Sequence, residues 1–584
     1  MSNNLGKPEY GSDVIVDLMK ALGIEYAAFN PGATFRGIQD SIVNYGGNEA
    51  PEVIECCHEE ISVAIAHGYA KVTGKPMAAI THNIVGLQHA SMAIFNAWCD
   101  RVPILVMGGT GPMDTTRRRP WIDWVHTALV QGNLVRDYVK WDDQPYSAAA
   151  VPDSLIRGYR LAVTEPCGPV YLCFDSDIQE LPLKEAVPLP EIRRFAPAPA
   201  LPPNTDAVRR AADLLARAQS PVIIADHTGR NPDAVASLVE LSELLAAPVI
   251  DRGARFNFPA THPLDAEGIE REVLGKADVV LALDVFDLYG TLGNVDKASR
   301  AFTSCLREDA QLIHISLDEL ITRSWSSDYQ KLQAVDVPIV ADTSLAIPQL
   351  LCACQELGID VERARRRYAE LKEQHAARRA GWRNHAASVS GEHPIAQAAL
   401  IAQLGEAVKH DDWVVSNCTF NSWARRLWAW EQPHQYLGRC NGGGLGYAPG
   451  ASIGAALAYR GTDKLVIDLQ SDGDFLMCPS ALWTASHHRL PLLFVMLNNR
   501  SYFNSEEHQS EVARTRGRDM KRSGIGTKLA DPPVDFAQMA RSFGVHGEGP
   551  IEKLDDLGPA LSRCLSAIKE RKQPAMIDVV VQDR

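Results

Sequence analysis

The 584-residue sequence contains no long basic tract, no apolar run of the ~18 residues a membrane span needs, no C-x-x-C pair and no G-x-G-x-x-G. Each absence removes a class of protein. With 58 Lys+Arg against 72 Asp+Glu the net charge is −14, so nucleic acid is an unsuitable partner. The 12 cysteines, including adjacent Cys56 and Cys57, lack the density of a disulfide scaffold and read as reduced thiols. The missing glycine fingerprint argues against a nicotinamide dinucleotide site, and GGTGPMD at 108–114 lacks the last glycine. The opening MSNNLGKPEYGSD has no charged segment followed by an apolar one, so a cytoplasmic protein with no membrane partner is expected.

What is present is the composition of an ordinary globular enzyme: 46% hydrophobic, 22% charged, with 42 glycines and 35 prolines. Apolar runs such as KPMAAITH, VPILVMGG and GPVYLCF alternate with helical text such as EEISVAIAHGYAKVTG, the rhythm of parallel α/β structure. The same alternation returns around SPVIIAD and ADVVLALDVF, and again around KLVIDLQSDGDF and LPLLFVMLNN. Three parallel-sheet α/β domains are therefore expected, at 1–185, 204–350 and 394–584. A proline-rich linker, 186–203, and a charged helical connector, 351–393, join them. The arginine-rich stretches 117–119 and 364–367 read as solvated faces.

The strongest chemical signal lies in 464–504. A buried strand ends in the turn Ser471-Asp472-Gly473-Asp474, a helix follows, and a second buried strand delivers Asn498-Asn499. Carboxyl ends of neighbouring parallel strands face one crevice, so Asp472 and Asn499 can converge. A carboxylate oxygen, an amide oxygen and the backbone carbonyl of Ser501 form a hard set suited to Mg²⁺, completed by water and phosphate oxygens. A diphosphate ligand is implied. Either piece alone reads equally as a solvated Asp-Gly turn or an Asn-rich loop. An EF-hand is excluded, because counting from Asp468 puts Pro479 where the bidentate glutamate belongs. Upstream, Gly442 to Gly444 and Gly446 permit close backbone approach to a ligand.

An Asp-Gly turn followed about 27 residues later by Asn-Asn resembles the diphosphate and metal motif of thiamine-diphosphate enzymes. The domain order is similar to the pyrimidine-binding, middle and diphosphate-binding arrangement of the decarboxylase and acetohydroxyacid synthase superfamily. The text GGLGYAPGASIG, SALWTA and FNPGAT looks closest to benzoylformate decarboxylase. One departure is Ser471, where the family usually has glycine. The resemblance implies that Glu59, nine residues before Gly68, is the carboxylate that hydrogen-bonds the pyrimidine N1′ and promotes the imino tautomer. It further implies that Thr419, Gly473 and Asp474 hold the diphosphate with Asp472 and Asn499. Gly443 would accept from the pyrimidine amine, and Leu445 would wedge the cofactor into its bent form. Asn417 and Phe420 depart from common residues.

On the substrate side, His82 falls where the resembling decarboxylases keep an active-site histidine, and His126 resembles a second one. Either imidazole can move protons at neutral pH or serve as a packing or capping residue. Ala33 stands where a serine is expected, Tyr289 where a histidine is expected, and Phe503 where a small residue is common; all three are expected at the substrate pocket. Efficient benzoylformate decarboxylation is therefore expected to be absent. The resemblance implies a thiamine diphosphate and Mg²⁺-dependent carbon–carbon lyase acting on a small carbonyl or 2-oxo acid, by non-oxidative decarboxylation. The alternatives are a carboligase or lyase resembling acetohydroxyacid synthase or 2-hydroxyacyl-CoA lyase, and a catalytically silent cofactor-binding homologue. No arginine-bearing flavin loop follows VVLALDVF, so FAD is not implied. A homodimer or homotetramer is expected, with each cofactor between the first domain of one chain and the third domain of another.

Overall fold

The structure, a computed structural model, describes residues 7–296, 299–321, 331–418 and 423–583. Its core is three parallel sheets. The first contains β1 (Tyr26–Phe29), β2 (Glu52–Glu55), β3 (Ala78–Thr81), β4 (Leu105–Thr110), β5 (Asp142–Asp143) and β6 (Val170–Asp175), ordered β2-β1-β3-β4-β6-β5. The second contains β7 (Pro221–Ala225), β8 (Val249–Asp251), β9 (Val279–Leu283), β12 (Gln311–Ser316) and β13 (Val337–Val340), ordered β13-β12-β9-β7-β8. A small antiparallel pair, β10 (Gly293–Val295) with β11 (Phe302–Ser304), lies in the loops of the second. The third sheet, ordered β14-β15-β16-β18-β17, contains β14 (Trp413–Asn417), β15 (Leu465–Ser471), β16 (Leu492–Asn498), β17 (His546–Ile551) and β18 (Ala575–Val580). Helices cover both faces, which is why LVIDLQS and LLFVMLN read as near-continuous apolar runs: almost every residue is buried. Among the described residues no helix is long and apolar enough to cross a membrane.

Two helices lock the first sheet's domain to the third's. Glu59–Thr73 starts at His58, whose Nδ1 accepts the Glu60 amide at 3.1 Å, and stops at left-handed Gly74. It packs on Tyr447–Ala458 through small residues. A Cβ on Gly68 would sit 1.9 Å from the Ala451 carbonyl oxygen, and one on Gly454 would sit 2.0 Å from that of Ile65. Only glycine permits this approach.

A buried ionic knot joins all three domains beside these helices. Asp100 Oδ2 is ion-paired with Lys71 Nζ at 2.6 Å and lies 3.0 Å from His67 Nε2, the Asp100 carbonyl accepts from Arg255, and its Oδ1 accepts from the Asn441 amide at 2.8 Å. Burial raises the Asp100 carboxyl, but Lys71 and His67 outweigh it and hold the group well below the usual carboxylate range. The connector helix Val361–Ser388 is more embedded than its charge suggests. Arg367 is not on a solvated face: it donates to the carbonyls of Leu245, Ala246 and Gln219 and so satisfies the carboxyl end of the helix Pro232–Leu245.

Candidate active site

β15 and β16 are paired in register, Ser471 opposite Leu497, so the turn after one strand and the loop after the other open on the same crevice. Asp472 is buried and accepts the Gly473 amide at 2.8 Å and the Ser501 amide at 3.3 Å. The Ser501 amide also reaches Asn499 Oδ1 at 3.1 Å, so one N–H holds the Asp472 carboxylate and the Asn499 amide oxygen side by side. Burial pushes Asp472 up to about 6, with the backbone donors opposing. Ser471 has ordinary extended backbone (φ −89°, ψ 145°), so serine fits there without strain. Gly473 is needed for space, since a Cβ would lie 2.5 Å from the Tyr502 ring.

A cavity of about 490 Å³ opens over this turn, and Gly443, Leu445, Asp472, Gly473, Asn499, Ser501 and Phe503 line it. Gly443 has φ +64°, a conformation that favours glycine. Leu445 is 44% exposed although leucine is normally buried, so it projects from the wall. Asp474 borders the same cavity, but its oxygens accept from the Gly446 amide at 2.8 Å and Gln470 Nε2 at 2.7 Å; it anchors the glycine loop. Asn417, the last residue of β14 and also on the cavity wall, donates to Asp468 at 3.0 Å. Thr419 and Phe420 lie outside the described residues.

Asn96 carries no signal in the sequence, yet it braces this loop from the first domain. Its Nδ2 donates to the Gly444 carbonyl and its Oδ1 accepts the Gly444 amide, both at 3.1 Å. An amide is suited to this double bond because it offers donor and acceptor together.

A second cluster of polar side chains sits on the first domain. Glu59, 4% exposed, accepts from Asn30 Nδ2 at 3.4 Å and pairs with His89 Nδ1 at 3.1 Å. His58 stacks on His89 with ring centroids 4.6 Å apart. Glu60, one residue along the helix, turns the other way toward Gly446 and Cys478, where burial pushes it up to about 7. His82 and His126 lie together, edge to face at 5.5 Å. Burial, then His126, lowers the His82 pKa. Ala33 presents its carbonyl to Arg119 at 3.3 Å, and Arg119 also grips Asp123. Asn30, Thr34 and His89 are further polar groups of this cluster that sequence spacing did not single out.

These two clusters are separate within one chain: among the described residues, none from the first domain lines the cavity over Asp472. Tyr289 is not on the cavity wall either. It stacks on Phe302 at 4.2 Å in the middle domain, because the β10–β11 hairpin folds across it.

This geometry, a strand-end carboxylate–amide pair under a glycine loop and a buried glutamate on another α/β domain, agrees with comparison to known proteins. Residues 10–132 match the N-terminal TPP binding domain of thiamine pyrophosphate enzymes, 208–350 the central domain and 417–579 the C-terminal TPP binding domain. The chain belongs to the thiamine pyrophosphate enzyme family. Its relatives include acetolactate synthase of Bacillus subtilis, 22% identical over 98% of this chain and 93% of the relative. Benzoylformate decarboxylase of Pseudomonas aeruginosa is 25% identical, covering 94% and 96% respectively. Among solved structures, benzoylformate decarboxylase from Polynucleobacter necessarius superposes with a TM-score of 0.78 at 20% identity, over 99% of both chains.

Proposed function

We propose that this chain is a thiamine diphosphate and Mg²⁺-dependent lyase that cleaves a carbon–carbon bond beside a carbonyl, by non-oxidative decarboxylation of a small 2-oxo acid. The observation that carries this reading is the shared Ser501 amide, which holds Asp472 and Asn499 together over a glycine-walled cavity. The residues fit the cofactor. Asp472 and Asn499, with the Ser501 carbonyl, offer the hard oxygens Mg²⁺ requires, and the bare backbone of Gly443, with nothing within 4 Å of an added Cβ, leaves room for the cofactor. Leu445 is the apolar projection that would support the cofactor from the cavity wall. When bound, thiamine diphosphate supplies an electron sink next to the substrate carbonyl.

The chain's own groups do the rest. Glu59 holds a proton at the pyrimidine edge, with Asn30 and His89 fixing both of its oxygens. His82 and His126 face the reacting carbonyl, and Phe503 narrows the cavity. Because Glu59 lies off the cavity of its own chain, a second copy supplies it, so the working unit is a homodimer or a tetramer of such pairs. With Ala33 beside His82 and Tyr289 packed away on Phe302, no serine hydroxyl or second imidazole stands where the resembling decarboxylases are expected to place them. The substrate is therefore a 2-oxo acid other than benzoylformate.

Asp472→Ala and Glu59→Gln separate the two halves of this reading. Asp472→Ala abolishes Mg²⁺-dependent cofactor binding in calorimetric titration. Glu59→Gln keeps binding but loses the accelerated exchange of the cofactor C2 proton in deuterated buffer. Mixing the two inactive proteins restores part of the activity through hybrid sites. Wild-type exchange in Glu59→Gln, or full activity of a sedimenting monomer, refutes the proposal.

A further inference from the structure

The proton on the His82 ring can be located from its neighbours. Thr34 is fully buried, and its Oγ1 accepts the Asn83 amide at 3.1 Å and lies 2.8 Å from His82 Nδ1. The Asn83 N–H can only donate, so the hydroxyl proton needs an acceptor elsewhere. Among the described residues His82 Nδ1 is the one acceptor within reach of it. If Nδ1 carried the proton instead, Thr34 would receive two N–H donors and bury its own O–H unpaired, which is unfavourable. The hydroxyl therefore donates to a bare Nδ1, and the ring proton sits on Nε2. Nε2 has no protein partner among the described residues.

The ring is also held in place. A Cβ on Gly32 would meet His82 Cβ at 3.0 Å, and one on Gly86 would meet it at 2.8 Å, so two bare backbones wall the side chain. The Gly86 position also lies 2.9 Å from Glu59 Oε1, which puts His82 on the same face as the glutamate. Burial is the largest influence on its charge and lowers the pKa of the ring; His126 and Arg119 also disfavour the imidazolium, and Glu59 and Asp123 favour it.

We propose that Thr34 is a positioning residue that fixes His82 as the Nε2–H tautomer, so that His82 meets the substrate's carbonyl oxygen as a neutral hydrogen-bond donor. The substrate part rests on the function proposed above; the tautomer does not. A neutral N–H aimed at an oxygen that gains negative charge stabilises it without altering the net charge of the site. The same tautomer leaves no lone pair on Nε2, so His82 is not a base toward the substrate. That separates it from His126, whose Nδ1 is buried without a protein partner.

The test is the ¹⁵N magic-angle-spinning spectrum of histidine-labelled full-length protein with thiamine diphosphate and Mg²⁺ added, His82 being assigned by its loss in His82→Gln. The expected spectrum shows a protonated Nε2 and a bare Nδ1, unchanged in Thr34→Ser. In Thr34→Val, which keeps the shape and removes the hydroxyl, the single-tautomer signature is lost and kcat falls about 10–100-fold with KM little changed, while Thr34→Ser retains turnover. A proton on Nδ1 in the wild type, or a Thr34→Val spectrum identical to wild type, overturns the proposal. If Thr34→Val does not fold, Thr34→Ala removes the same hydroxyl, and a spectrum identical to wild type there overturns the proposal equally. Absence of any Glu59-dependent C2 exchange would sink the proposed function, while the spectrum would still answer for the tautomer.

Discussion

Replacing Gly68 by alanine tests whether the contact between the Glu59–Thr73 and Tyr447–Ala458 helices determines how the first and third domains are held. Helix propensity alone favours the change by about 1 kcal/mol. The structure predicts the opposite sign. The new Cβ would lie 1.9 Å from the Ala451 carbonyl oxygen and 2.7 Å from the Ala451 Cα, all backbone atoms that no rotamer change can move. Restoring a contact of roughly 3.5 Å requires the helices to part by about 1.5 Å. Overpacking of this kind costs about 1–3 kcal/mol or more, and the close approaches at Gly450 and Gly454 are loosened with it. With a backbone clash this close the cost falls at the upper end, about 3 kcal/mol, and subtracting the propensity gain of about 1 leaves a net loss of about 2 kcal/mol, a fall of about 5 °C in the unfolding midpoint at a fixed scan rate.

The control is Gly381→Ala in the connector helix Val361–Ser388, where nothing lies within 4 Å of the added Cβ. There the propensity gain stands alone and the midpoint should rise by about 1–3 °C. Because Glu59 begins the displaced helix, Gly68→Ala should also slow C2-proton exchange, while Gly381→Ala leaves it unchanged. A Gly68→Ala protein as stable as Gly381→Ala, with wild-type exchange, would refute the reasoning.

Two further predictions concern buried charge. Burial pushes Asp468 up to about 7 against an ordinary 3.8, so the fold prefers it protonated. Its stabilising contribution is complete below about 3.8 and is lost as pH rises through about 7; the wild-type midpoint should fall over that window relative to Asp468→Asn, with a slope of up to about 1.4 kcal/mol per pH unit. Parallel curves for the two proteins would contradict this. Arg425 ties the middle domain to the third through Asp251 at 3.0 Å and Asp265 at 2.6 Å, so Arg425→Met strands two buried carboxylates and should cost about 3–5 kcal/mol in thermal or chemical denaturation. Arg425→Lys should recover only part of that loss, because one ammonium cannot bridge both partners as a planar fork does; full recovery would contradict the geometry.

The Asp472–Asn499 half of the candidate site was legible in the sequence because the signals that build it are local. LVIDLQS and LLFVMLN announce buried parallel strands by composition, and in a parallel sheet their ends must open on one crevice, which places Asp472 and Asn499 together. The alternation of such runs with helical text likewise gave three α/β units. Side-chain direction across domains was not legible. Glu59 and Glu60 are neighbours in text, yet helical geometry sends one to Asn30 and His89 and the other to Gly446 and Cys478. The bracing of Gly444 by Asn96, the capping of a distant helix by Arg367 and the packing of Tyr289 on Phe302 all join positions that no local period relates. The tautomer of His82 is the extreme case: it depends on one hydroxyl 48 residues away in sequence and on the absence of any other acceptor around it, a property of the packed interior.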